Sequence, residues 1–155
     1  MNALVIGRTA PEFKLKDKDG KEWSLKDLNT DYTVVYFYPK DNTPGCTIEA
    51  NMFTRDLDKF KHVNTSVVGI SGGNEQTKSK FCEKHDLKVL LLSDPDFKVA
   101  EAYGVYGEKK FMGRIFLGLS RITFVLDKEK RVIKVYNQVK PANHSEEILE
   151  FINSQ

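Results

Sequence analysis

The residues TVVYFYPKDNTPGCTIEANMFTRDLDKF, Thr33 to Phe60, determine the fold that we predict for this chain. They begin with an almost unbroken apolar run, Val34 to Tyr38, whose β-branched and aromatic residues are typical of a strand covered on both faces. After the loop Pro39 to Gly45, apolar residues recur every three or four positions, as on one face of a helix. The residues of this stripe are Ile48, Met52, Phe53, Leu57 and Phe60. The stretch therefore predicts a buried strand, a short loop and an amphipathic helix.

Cys46 falls where this helix is expected to begin. Thr43 is suited to the N-cap and Pro44 to the first helical position, which places Cys46 in the first turn. Unpaired backbone N–H groups and the helix dipole favour the thiolate there, which is the nucleophilic form of cysteine. The residues alone leave two interpretations, an activated thiol or a small buried hydrophobic residue. The position between a strand end and a helix start favours the first, since sites form there in α/β sheets.

Two further apolar runs, Ser66 to Ser71 and Val89 to Leu92, predict buried strands. Between them, Asn74 is expected to cap a helix over Glu75 to His85. A succession of strand, helix and strand implies parallel strands joined by a crossover. We expect the Glu75 to His85 helix to dock weakly, because Phe81 is its only large apolar residue.

The rest of the chain predicts additions to this central unit. An Asp-Gly pair at residues 19–20, between alternating segments, predicts an N-terminal β-hairpin. Later apolar runs predict strands over Arg121 to Leu126 and Val132 to Tyr136, and Ser145 is expected to cap a final amphipathic helix. The segment Val105 to Leu119 contains three glycines and is expected to be a loop. The whole predicts an α/β fold with a mixed central sheet flanked by helices.

Composition limits the possible classes of protein. A chain of 155 residues predicts a single domain over residues 1–155. Its 24 basic and 22 acidic residues are mixed along the sequence, which argues against nucleic acid or an anionic membrane as a partner. No apolar run approaches the roughly 18 residues of a membrane span, and we expect no secretory signal. Two cysteines in the whole chain suit a reducing compartment, so we expect a cytoplasmic protein.

Pro39, Thr43 and Cys46 together spell P-x-x-x-T-x-x-C, and YFYPKDNTPGCTIEA resembles the active-site segment of the peroxiredoxins. The chain is most similar to the bacterioferritin comigratory, or Q-type, group of that family. The likeness continues through APEFKLKDKDGKEWSLKDL, VVGISGG, LLSDPDFKVAEAYGVYGEKKFMGR and SRITFVLDKEKRVIKVY. This resemblance implies a thioredoxin-like fold and a thiol-dependent peroxidase that needs no metal or organic cofactor.

The resemblance also implies a role for each candidate residue. The Cys46 thiolate would attack hydrogen peroxide or an alkyl hydroperoxide, leaving a sulfenic acid. Thr43, the backbone N–H of Cys46 and Arg121 would hold the peroxide oxygens, and Pro39 would shield the thiolate from water. Arg121 is also unusual by position, because a charge that opens an otherwise apolar strand calls for a partner. Glu49 is expected to orient Arg121 or, alternatively, to face solvent.

Cys82 has two open interpretations. Many Q-type peroxiredoxins carry the resolving cysteine five residues after the reactive one, a position that Asn51 occupies here. Another pattern in the group places it on the helix after the second core strand, and Cys82 matches that pattern. The resemblance thus implies a Cys46–Cys82 disulfide that thioredoxin or glutaredoxin reduces. The alternative is that Cys82 packs beside Phe81 and that an external thiol reduces the Cys46 sulfenic acid directly.

Two other classes of protein compete with this interpretation. A thioredoxin-type disulfide carrier would need C-x-x-C at the helix start, where this chain has Cys46-Thr47-Ile48-Glu49. A metal-binding module would use the two cysteines with His62, His85 or His144, but none of these has ligand spacing. We expect a monomer, with a weak dimer possible through apolar residues between Phe111 and Phe116.

Overall fold

A computed structural model describes residues 3–155 of the chain. The strands in chain order are β1 Lys14–Lys16, β2 Glu22–Ser24, β3 Tyr32–Phe37, β4 Thr65–Ser71, β5 Leu90–Ser93, β6 Tyr106–Phe111, β7 Arg114–Leu119, β8 Ile122–Leu126 and β9 Val132–Tyr136. The helices are α1 Pro44–His62, α2 Glu75–His85, α3 Lys98–Ala102 and α4 His144–Asn153, and a 3-10 turn covers Leu25–Asp27.

Seven strands form one mixed sheet in the order β2-β1-β5-β4-β3-β8-β9. β3 lies near the centre, parallel to β4 and antiparallel to β8. The β1–β2 hairpin extends the sheet at its β5 edge through an antiparallel pairing. The predicted mixed sheet, the parallel crossover pair and the N-terminal hairpin are therefore confirmed.

Alternate residues of β3 pack into two separate apolar layers. Val34 and Tyr36 face the layer that holds the inner faces of α1, α2 and α4. Val35 and Phe37 face the opposite layer, which includes residues next to α3 and from the N-terminal segment. Because both faces are covered, β3 is apolar without alternation, as the sequence predicts.

The prediction of a loop over Val105 to Leu119 is wrong. β6 and β7 form a separate antiparallel hairpin in which Gly107 pairs with Gly118. The apolar side chains of β7 are mostly exposed, so the segment lacks the buried alternation by which strands are recognised in sequence. Phe111 is 67% exposed and Met112 is 87% exposed at its tip.

Two smaller predictions also need correction. The N-cap of α4 is Asn143, whereas Ser145 lies inside the helix and its hydroxyl donates to the buried Asp56 at 2.7 Å. Ile48 is 44% exposed, because the buried face of α1 is rotated towards Cys46, Glu49 and Phe53. The inward face of α4 is as predicted, with Ile148, Leu149 and Ile152 buried.

Candidate active site

The antiparallel pairing of β3 and β8 brings Arg121 to the start of α1. Phe37, the last residue of β3, pairs with Ile122, the first residue of β8. Arg121 precedes Ile122 and so lies beyond the carboxyl end of β3, where the chain turns through a loop into α1. Two segments far apart in sequence thus meet at one edge of the sheet.

Arg121 contacts two side chains of α1 at this edge. Its Nη2 donates to the sulfur of Cys46 at 3.2 Å, and its Nη1 donates to Oε1 of Glu49 at 2.7 Å. Cys46 and Glu49 are three residues apart and therefore share one face of the helix. Cys46 is only 1% exposed, so the thiol is buried, and its cationic partner is partly exposed.

Glu49 and Arg121 each shift the pKa of the other. Burial raises the pKa of the Glu49 carboxyl from its ordinary value of 4.5 to about 7, although Arg121 acts in the opposite direction. Burial by itself would lower the pKa of the Arg121 guanidinium, but the neighbouring anionic groups outweigh it and the pKa is raised. Oε2 of Glu49 is buried without a hydrogen-bond partner among residues 3–155. Glu49 lies against Arg121 and does not face solvent.

Thr43 and Pro39 occupy the loop that leads into α1. Thr43 is the N-cap by backbone conformation, but its hydroxyl donates to the carbonyl of Lys40 at 2.9 Å and makes no capping bond. The N–H of Thr47 bonds to the carbonyl of Thr43, so the N–H of Cys46 precedes the first such bond of the helix. Pro39 is exposed and borders a cleft of about 400 Å³ beside the loop. The catalytic roles of these two residues stay predictions.

Cys82 lies on the inner face of α2 and is 5% exposed. It borders a cleft of about 300 Å³ together with Trp23 and with Leu90 and Leu91 of β5. Burial raises the pKa of the Cys82 thiol. Both cysteines are free thiols in the structure. Cys46 and Cys82 belong to the same apolar layer on one face of the sheet, and both lie near Tyr36 of β3.

The sequence does not indicate that three further residues near the arginine belong to this site. A Cβ atom on Gly45 would lie 3.1 Å from Nη2 of Arg121, so only glycine leaves full room for the guanidinium. Pro141 approaches the same point. His144 is buried at the start of α4, with Nε2 2.7 Å from the hydroxyl of Thr123. Burial lowers the pKa of His144, and the charge of Arg121 acts in the same direction.

The structure also bears on metal and membrane binding. Within residues 3–155, His, Cys, Asp and Glu side chains form no group of three or more that could hold a metal ion. No helix in the described part of the chain is long and apolar enough to cross a membrane.

Fold and site together define a thiol-based oxidoreductase with a thioredoxin-like sheet. The AhpC/TSA family matches residues 6–135. The chain is 42% identical to peroxiredoxin Bcp of Bacillus subtilis over 147 residues, covering 95% of this chain and 94% of the relative. It is 40% identical to peroxiredoxin Bcp of Escherichia coli over 152 residues, covering 98% and 97%.

Among solved structures, peroxiredoxin Q of Xanthomonas campestris superposes with a TM-score of 0.86 at 32% identity, covering 92% of this chain and 90% of that one. The chain belongs to the AhpC/TSA family, as a peroxiredoxin of the Bcp, or Q-type, group. It is a thiol peroxidase that acts on peroxides and is reduced by a thiol.

Proposed function

We propose that Cys46 is the peroxidatic cysteine and that Arg121 stabilises its thiolate. The observation that carries this proposal is the 3.2 Å contact from Nη2 of Arg121 to the Cys46 sulfur. A buried thiolate needs a fixed cation, and an arginine keeps its charge at any physiological pH. The ion pair with Glu49 fixes the guanidinium in place.

The thiolate attacks the terminal oxygen of a hydroperoxide. The sulfur–oxygen bond forms as the oxygen–oxygen bond breaks, leaving a sulfenic acid on Cys46 and an alkoxide or hydroxide that leaves as alcohol or water after protonation. Arg121, the N–H of Cys46 and the hydroxyl of Thr43 hold the two oxygens in line and stabilise their charge. Pro39 fixes the loop and limits the access of water. Glu49 acts on the reaction through Arg121.

Cys82 then resolves the sulfenic acid by forming a disulfide with Cys46 and releasing water. Two solved variants of the Xanthomonas campestris protein support this pairing, because they replace cysteines that are 36 positions apart. Cys46 and Cys82 have the same separation. A disulfide requires Cα atoms within about 7 Å, so α1 and α2, in which the two thiols are buried, loosen before the sulfurs meet.

A one-cysteine peroxidase is the second candidate. It is favoured by the burial of Cys82 in a regular helix whose first turn is capped by Asn74. In that mechanism an external thiol reduces the sulfenic acid directly, and Cys82 serves only in packing.

The substrates are hydrogen peroxide and alkyl hydroperoxides. The bacterioferritin comigratory protein of Xanthomonas campestris has alkyl peroxide reduction activity, which supports alkyl hydroperoxides as substrates. Thioredoxin or glutaredoxin reduces the disulfide by thiol exchange. Residues 1–155 form a single domain, which acts as a cytoplasmic monomer and needs neither metal nor organic cofactor.

The intact mass of the reduced protein, quenched within seconds of adding one equivalent of hydrogen peroxide, tests this function. Loss of two hydrogens in the wild type, abolished in Cys82→Ser, supports the disulfide mechanism. Gain of one oxygen in the wild type supports the one-cysteine mechanism. No change in mass, or oxidation that persists in Cys46→Ser, rejects Cys46 as the peroxidatic residue.

A further inference from the structure

A lysine is buried in α2 one helical turn before Cys82. The side chain of Lys78 is fully buried, and its ammonium makes three hydrogen bonds. The acceptors are Oδ2 of Asp41 at 2.8 Å, the hydroxyl of Ser71 at 2.8 Å and the carbonyl of Gly72 at 2.7 Å. An ammonium has three donors, so every donor of Lys78 is used.

Asp41 is the anion of this pair, and its side chain is only 8% exposed. It also accepts the hydroxyl of Tyr38 at 2.6 Å and that of Thr77 at 2.9 Å. These bonds connect the end of β3, the end of β4 and the first turns of α2 at a single carboxylate.

The pair joins the two segments that carry the thiols. Asp41 lies in the loop that leads to Cys46, five residues before it, and Lys78 lies four residues before Cys82 on the same face of α2. A second contact between the same segments runs from Asn42 to His85, at 2.9 Å. Movement of α2 away from the sheet, or of the loop away from α2, would therefore break this ion pair.

Breaking a buried ion pair is costly where either charge stays buried, because that charge then has neither its partner nor water. In the structure α2 lies against the sheet with the Asp41–Lys78 pair intact, an arrangement that we call closed. Because Phe81 is the only large apolar residue of α2, a polar interaction holds the helix in this arrangement.

We propose that Asp41 and Lys78 form a latch that sets the rate at which Cys82 reaches the oxidised Cys46. This inference rests on the Cys46–Cys82 disulfide of the proposed function. When the latch opens, the Cys82 sulfur bonds to the Cys46 sulfur, the S–OH bond breaks, and the hydroxyl leaves as water with the thiol proton. While it stays closed, the sulfenic acid persists and a second peroxide can oxidise it to sulfinic acid.

Lys78→Met tests the latch because it keeps the apolar stem and removes the charge that neutralises Asp41. The protein is reduced, mixed with one equivalent of hydrogen peroxide, quenched at millisecond intervals and measured by intact mass. We expect the disulfide to form at least tenfold faster from the sulfenic acid than in the wild type. With excess peroxide, the fraction that reaches sulfinic acid should fall.

The double variant Asp41→Asn/Lys78→Met is the matched rescue, since it leaves no unpaired buried charge, and its rate should return towards that of the wild type. Asp96→Asn/Lys98→Met is the control, because it removes an exposed ion pair of 3.7 Å and should leave the rate unchanged. If Lys78→Met does not fold, Ser71→Ala replaces it, removing one acceptor of the ammonium with an expected acceleration of about threefold.

The outcomes separate the two proposals. A wild type that forms no Cys46–Cys82 disulfide rejects the mechanism of the proposed function. A wild type that forms the disulfide, with a folded Lys78→Met variant whose rate is within twofold of it, overturns the latch alone. If Lys78→Met does not fold, an unchanged rate of disulfide formation in Ser71→Ala overturns the latch instead.

Discussion

Glu49 and Arg121 form a 2.7 Å ion pair in which the carboxyl side chain is fully buried and the arginine side chain is 20% exposed. The same guanidinium contacts the Cys46 sulfur through its other terminal nitrogen. Because Glu49 and Cys46 lie on one turn of α1, the helix fixes both the thiol and the cation that faces it. The geometry of the site is therefore set by a single helical turn and one side chain, that of Arg121, from the residue just before β8.

Arg121→Lys should slow the oxidation of Cys46 by about 100-fold, which is the usual effect of losing one fixed donor at a developing charge. Lysine keeps the positive charge but has no planar fork that reaches two groups in different directions. The measurement is the second-order rate constant for reaction with hydrogen peroxide. Arg55→Lys is the control, since Arg55 also bridges two carboxylates, Asp56 and Glu146, but lies away from the thiol. Equal rates in Arg121→Lys and the wild type would contradict the proposed role.

Glu49 should make the stability of the fold depend on pH. Its pKa is about 7 in the folded chain and has the ordinary value of 4.5 when unfolded. Between these values the folded state holds a proton that the unfolded state has lost, so this contribution to stability is complete below pH 4.5 and is lost as pH rises to about 7. At about 1.4 kcal/mol for each pH unit, the loss is about 3 kcal/mol.

Glu49→Gln isolates this effect, because the amide is neutral at every pH and its oxygen can still accept from Arg121. Urea unfolding of the wild type and the variant at several pH values gives the difference in their free energies of unfolding. Between pH 4.5 and 7, we expect the free energy of unfolding of the wild type to fall by about 3 kcal/mol relative to that of Glu49→Gln. A difference that does not vary with pH would show that Glu49 ionises normally.

The central segment is predictable because local signals and burial agree there. The run Val34 to Tyr38 is apolar on both faces, and the Thr43-Pro44 pair marks the start of α1. The position of Cys46 in the first helical turn follows from these two facts. The approach of Arg121 does not, since it depends on the pairing of β3 with β8, and only the resemblance pointed to it.

The β6–β7 hairpin and the burial of Lys78 could not be predicted from the sequence, for physical reasons. The β6–β7 hairpin exposes its apolar residues, so nothing in its pattern indicates a buried strand face. Lys78 is buried through partners that come from a different loop and strand. Charged residues are almost never fully buried unless they are paired, and a pairing between distant segments leaves no mark in local sequence.

Ser145→Ala should destabilise the protein by about 2 kcal/mol without changing the rate of peroxide reduction. The hydroxyl donates to Asp56, whose side chain is fully buried, and bonds to buried charged groups have about this value. Ser154→Ala is the matched control, because its hydroxyl bonds only to exposed groups at the other end of α4, the carbonyl of Phe151 and the side-chain amide of Gln155. Urea unfolding measures both variants, and equal stabilities for the two would contradict the prediction.

Gly69→Ala should destabilise the core by about 3 kcal/mol, the upper range for overpacking. A Cβ atom there would lie 2.5 Å from Cζ of Tyr36 and 2.8 Å from Cδ2 of Leu91. Tyr36 cannot move easily, since its ring is buried and stacks on Phe53. In a Tyr36→Phe background the cost should be smaller, because the hydroxyl also crowds this position. An unfolding free energy equal to that of the wild type would show that the ring can shift without strain.

Gly45→Ala should separate activity from stability at the site itself. Alanine favours the helix, so the free energy of unfolding should be unchanged or raised by up to about 1 kcal/mol. The new Cβ atom would lie 3.1 Å from Nη2 of Arg121 and would displace a guanidinium that Glu49 and Cys46 hold in place. We therefore expect the rate of Cys46 oxidation to fall about tenfold, since a displacement of this size weakens a fixed donor. If the rate is unchanged while the helix is stabilised, the position of Arg121 relative to the sulfur does not limit the reaction.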